Sequence, residues 1–176
     1  MVGNITANIA RTLAALMLLA AAAGLQQARA AEPPTVAFLG VQFINDNEGF
    51  EPTTDAERAR IATIAELFKS QLTASGRYAF VDVPADVKAR IAAGQPVGEC
   101  AGCEIEFGKE LGADRAAWIT VQKVSNLILN LNVYMADVDT GQMTFLRSVD
   151  IRGNTDRSWT RGLTYLVENY LLKDAS

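Results

Sequence analysis

The chain has 176 residues, 49% of them hydrophobic and 20% charged, with 16 Lys+Arg against 20 Asp+Glu; this fits one folded domain and excludes a disordered or fibrous chain. It contains no histidine, which removes Ser-His-Asp and Cys-His nucleophile pairs and histidine-ligated zinc. A net charge of −4 without a basic cluster argues against nucleic acid or an anionic membrane surface as partner.

Residues 1–30 read as a cleavable signal peptide. Arg11 precedes an uncharged stretch with an apolar centre over 13–25, and Ala28-Arg29-Ala30 supplies the small-residue cleavage pattern. The apolar centre is shorter than the roughly 20 residues a membrane-spanning helix needs; an uncleaved anchor is the alternative. Cleavage after Ala30 leaves 14 basic against 20 acidic residues, a net −6, in a periplasmic domain of residues 31–176 with no stable membrane insertion.

Residues 35–44 are almost all apolar, the pattern of a strand covered on both faces. A polar loop follows, and Thr54-Asp-Ala-Glu57 forms a capping box that starts a helix. Ile61, Ile64, Phe68 and Leu72 recur at helical spacing along it, with Gly76 as the stop. A second strand is expected over 77–83, a short helix from Pro84 to Ile91, a cysteine-bearing loop, and a two-turn helix over 104–111. Three strands follow at about 116–124, 127–136 and 143–151, the last two joined by the turn Asp137-Val-Asp-Thr-Gly141. A final helix buries Trp159, Leu163, Leu166, Val167, Tyr170 and Leu171, capped by Thr155 or Asp156. The order β-α-β-(α)-α-β-β-β-α predicts a single α+β domain: one mixed sheet with helices packed on one face.

Three stretches, GRYAFVDV, LGADRAAWITVQKVS and LNVYMADVDTGQ, together resemble the sandwich of the amino-terminal domain of the Tol-system translocation protein and of the curli-secretion lipoprotein family. Cys100-Ala-Gly-Cys103 with RGNTDRSWTRGLTYL at 152–166 resembles a bacterial exported family known only as a domain of unknown function. The resemblance covers about residues 35–172. It implies a periplasmic accessory domain without assigned catalysis, working beside quinoprotein dehydrogenases. No cysteine lies near the cleavage point, the first being Cys100, so lipid attachment does not carry over, and neither does pore formation.

Cys100 and Cys103 are the only cysteines. In an oxidising compartment they are expected to pair, either as a structural clip or as an exchange-active thiol-disulfide site at a helix start; metal or other use is a third reading. Glu99 and Glu104 flank the motif and oppose a thiolate. No metal site is assigned: zinc would need two further ligands without histidine, and the oxygen-rich runs 45–48 and 137–139 lack the full calcium-loop pattern. The third candidate is a partner surface at 152–161, made of Arg152, Asn154, Asp156, Trp159 and Arg161, since Trp and Arg often anchor interfaces. The alternative is structural, with Asp156 as cap and Trp159 in the core. The functional expectation is a non-catalytic domain that binds a periplasmic protein through a sheet edge or the 152–161 junction, with no catalytic residue and no cofactor assigned. A thiol-disulfide protein is the alternative.

Overall fold

The apolar run after Pro34 becomes the strand β1 (Thr35–Asn45) in a computed structural model that describes residues 32–173. The expected signal peptide, residues 1–30, lies outside the described residues. A bulge keeps β1 amphipathic in three dimensions: Phe38 pairs with Ala117 and Val41 with Ile119, so one extra residue sits at Leu39–Gly40, with Gly40 at φ +108°. That conformation suits glycine. The extra residue leaves Val36, Phe38, Val41 and Phe43 all turned to the same core.

Helix α1 (Asp55–Ala74) starts at the expected capping box: the Thr54 hydroxyl accepts from the Glu57 N–H, and the Glu57 carboxylate accepts from the Thr54 N–H. Strand β2 is only Ala79–Phe80, shorter than the 77–83 expected. Val81 N–H still donates to Val36 O, but the chain then turns at Pro84 into α2 (Ala85–Ala93), leaving the rest of the segment unpaired. Helix α3 (Cys103–Glu110) follows, then β3 (Arg115–Lys123), β4 (Ile128–Asp137), β5 (Met143–Arg152) and α4 (Asp156–Leu166). Thr155, not Asp156, is the α4 N-cap, reciprocated by Ser158. The last helix runs on into a π-helical turn, Val167–Leu171.

The sheet order is β2-β1-β3-β4-β5, with β1 parallel to both neighbours and the other pairs antiparallel. The α+β architecture and element order are those the sequence predicts. Helices α1 and α4 cover one face, burying Ile64, Phe68, Leu72, Trp159, Leu163 and Leu166 against Ile119, Leu131 and Val133. Each such side chain contributes about 1.5–3 kcal/mol on burial. The helices do not all pack on one face as expected: the short α2 and α3 add a smaller layer over the opposite face, because Ile91, Ile105 and Phe107 find an apolar surface there in Ala37, Leu39 and Trp118. Trp118 stacks there on its cross-strand neighbour Tyr134, ring centroids 5.0 Å apart.

Candidate functional site

The start of α1, the end of β3 and the β5–α4 loop meet in a buried polar junction. Glu57 and Lys123 are 1% and 2% exposed, and the Lys123 ammonium lies 2.9 Å from Glu57 Oε1. Asn154 Nδ2 donates to the same oxygen at 2.7 Å, while the Thr54 N–H and hydroxyl donate to Oε2 at 2.7 and 2.8 Å. Burial by itself would raise the Glu57 carboxyl; the Thr54 N–H, Lys123, the Thr54 hydroxyl and Asn154 outweigh it and hold the group at about 2. Asn154 Oδ1 in turn accepts from the Trp159 indole N–H at 3.0 Å and from Arg60 at 3.2 Å. Arg60 also pairs with Asp156 at 2.7 Å. These contacts fix the loop 153–155 and the direction in which α4 departs.

Helix α4 is thereby laid close along β5. Gly162 permits the approach: a methyl group at that position would sit 3.1 Å from Ile151 Cγ1. Between the outer side of the helix and the free edge of β5 runs a groove of about 850 Å³. Its helix wall is the stripe Arg157, Arg161, Tyr165 and Glu168, and Arg152 closes its end. Arg58, Arg60, Arg77, Arg90 and Arg115 each bind an acid or a backbone carbonyl. Arg147 donates to Leu146 O and lies over the Tyr170 ring. Arg152, Arg157 and Arg161 are the arginines without an ion pair or side-chain hydrogen bond among the described residues, and all three line this groove.

The surface expected at 152–161 is thus divided. Trp159 is fully buried, and Asn154 and Asp156 are engaged by Glu57 and Arg60. Arg152 and Arg161 remain exposed in the groove with Arg157 and Tyr165, which the sequence reading passed over although Arg157 and Arg161 stand one helical turn apart on a polar face.

Cys100 and Cys103 form a disulfide, away from this groove, at the entrance to α3. Glu104 Oε2 lies 3.5 Å from Cys100 Sγ. The two sulfurs and this carboxylate are close enough to share an ion, yet the disulfide leaves no thiolate to ligate one. The oxygen-rich loop after β1 is tied within itself, Asn45 to Glu48 at 2.9 Å, and to the chain just past the end of β3, Asn47 to Val124 O at 2.8 Å. Asp137 accepts from the Thr140 N–H and hydroxyl, which lowers its carboxyl from the ordinary range. A second cleft of about 870 Å³ runs beside β1, between α1 and the segment 81–99; the charges on its α1 wall, Glu66 and Lys69, pair with each other.

The DUF3280 family model, described as "Protein of unknown function (DUF2380)", matches residues 34–171. The chain belongs to this family. No curated protein matches it. Among solved structures, this DUF3280 chain is similar to lipoprotein GNA1162 from Neisseria meningitidis, with 15% identity and a TM-score of 0.50 over 82% of this chain and 100% of that one. It is also similar to the LpoB C-terminal domain from Salmonella enterica: 14% identity, TM-score 0.49, 74% of this chain and 91% of that one. TolB from Acinetobacter baumannii shows 13% identity and a TM-score of 0.44 over 79% of this chain and 28% of that one. At 15% identity the likeness to GNA1162 is one of fold. No helix among the described residues is long and apolar enough to cross a membrane.

Proposed function

We propose that this DUF3280 chain is a non-catalytic, protein-binding accessory domain of the bacterial periplasm, and that its partner docks in the groove between β5 and α4. The observation that carries this is the gathering of the three unpaired arginines beside a free strand edge. An Arg-rich groove with an exposed tyrosine has the composition of an interface centre. The strongly perturbed carboxylate, Glu57, is by contrast sealed from solvent and fully engaged, which suits a structural role and leaves it unable to reach a substrate. Export by cleavage after Ala30 is part of the proposal; GNA1162, which shares the fold, is named a lipoprotein. An association with a quinoprotein dehydrogenase rests on the sequence resemblance alone. For thiol-disulfide exchange the geometry is unfavourable, because Glu104 beside Cys100 opposes the thiolate that exchange requires.

The test is photocrosslinking in intact cells, with a benzophenone side chain at Tyr165 in the groove and, as control, at exposed Lys109 on α3. A discrete protein adduct from position 165 and none from 109 is expected. No adduct from 165, or equal adducts from both, overturns the reading.

A further inference from the structure

We infer that the groove accepts an extended acidic segment of a partner protein, added as a strand to the free edge of β5, with alternate carboxylates paired to Arg157 and Arg161. This rests on the reading of the groove as the partner site and adds the chemistry of what fills it.

The strand edge is ready for such an addition. Gly153 N–H donates to Leu127 O at 3.1 Å, so the pair 127/153 is hydrogen-bonded. Alternation along the antiparallel ladder makes 129/151 and 131/149 the next hydrogen-bonded pairs. The N–H and C=O groups of Ser148, Asp150 and Arg152 therefore point away from β4, into the open side. The Leu146 carbonyl on the same edge is already taken by Arg147. A peptide laid here gains backbone hydrogen bonds in the manner of strand addition.

The helix wall then selects its side chains. Arg157 and Arg161 are four residues apart on α4, a rise of about 6 Å. Alternate residues of an extended strand are about 6.8 Å apart and share a face. Carboxylates at i and i+2 of the incoming segment thus match the two guanidinium groups, each able to take a carboxylate through two parallel N–H donors. Asp150 stands apart from them, since Val149 and Ile151 face the core under α4 and strand alternation puts Asp150 on the other side of β5, where it accepts from Asn130 Nδ2 at 3.2 Å, and Glu168 lies two helical turns beyond Arg161. On a chain of net charge −4, this is where a negative segment is attracted.

Fluorescence anisotropy on the purified domain tests the inference with a labelled peptide of about eight residues, glutamate alternating with valine and threonine, beside glutamine and lysine versions. The glutamate peptide is expected to bind most tightly and to weaken with salt. Charge reversal in Arg157→Glu/Arg161→Glu is expected to weaken it about tenfold and to favour the lysine peptide. Both side chains are exposed, so the variant keeps its fold, checked by circular dichroism. Ser148→Pro removes an outward N–H without breaking the β4 ladder and is expected to weaken all three peptides. Equal affinity for the glutamate and glutamine peptides overturns the acidic assignment, and unchanged binding by Ser148→Pro overturns strand addition. Binding to phosphatidylglycerol vesicles in place of the peptide does the same. In each case crosslinking at Tyr165 separately decides whether the groove is a protein site at all.

Discussion

Burying a carboxylate and an ammonium costs several kcal/mol per ion unless both are fully engaged. Glu57 satisfies that condition with donors from Thr54, Lys123 and Asn154, and Lys123 has Glu51 as its other acid, at 3.6 Å. Glu57→Ala leaves an ammonium buried with one distant partner, and about 3–5 kcal/mol of stability is expected to disappear in urea unfolding. The pH dependence has a definite sign. The folded carboxyl is held at about 2, below its ordinary 4.5, so its contribution is complete above about pH 4.5 and is lost as pH falls toward 2. Across that window the ionised form is worth roughly 3 kcal/mol. The urea midpoint of the unaltered protein should therefore fall more steeply on acidification than that of Glu57→Gln; parallel slopes would show that another group governs the acid limb.

Helix α3 illustrates how closely the elements are fitted. A methyl group at Gly108 would lie 2.5 Å from Val138 Cγ2 and 3.5 Å from Ala116 Cβ. Gly108→Ala raises helix propensity by about 1 kcal/mol but overpacks the contact, and a net loss of about 1–2 kcal/mol is expected in urea titration; a gain would mean that α3 is not seated on the sheet. Elements governed by local rules were legible in the sequence: the Thr54–Glu57 box starts α1, and the alternation of Leu129, Leu131 and Val133 gives β4. The bulge at Gly40 was hidden inside an unbroken apolar run. The π-helical turn was hidden because Val167 and Leu171 also fit an α-helical stripe. At the site, Arg152 and Arg161 were legible as part of a polar run, whereas Asn154 turns inward to Glu57, 97 residues away, and Asp156 pairs at the surface with Arg60, 96 residues away, which no local pattern carries.

Across the whole domain, one sheet separates a large layer under α1 and α4 from a smaller one under α2 and α3. The disulfide belongs to the smaller layer, at the entrance to α3, while the groove belongs to the larger. A loop this short constrains the unfolded chain little, about 2 kcal/mol. Melting curves with and without dithiothreitol should differ by less than about 10 °C, with peptide binding at the groove unchanged; cooperative unfolding on reduction would show that the clip holds the sheet itself. The chain has two tryptophans, and the sheet divides them. Trp159 lies under α4 with Asn154 on its indole nitrogen, and Trp118 lies on the other face against Tyr134. Each layer thus carries its own intrinsic fluorophore, so that Trp118→Phe or Trp159→Phe makes the emission spectrum a reporter of one side of the sheet at a time.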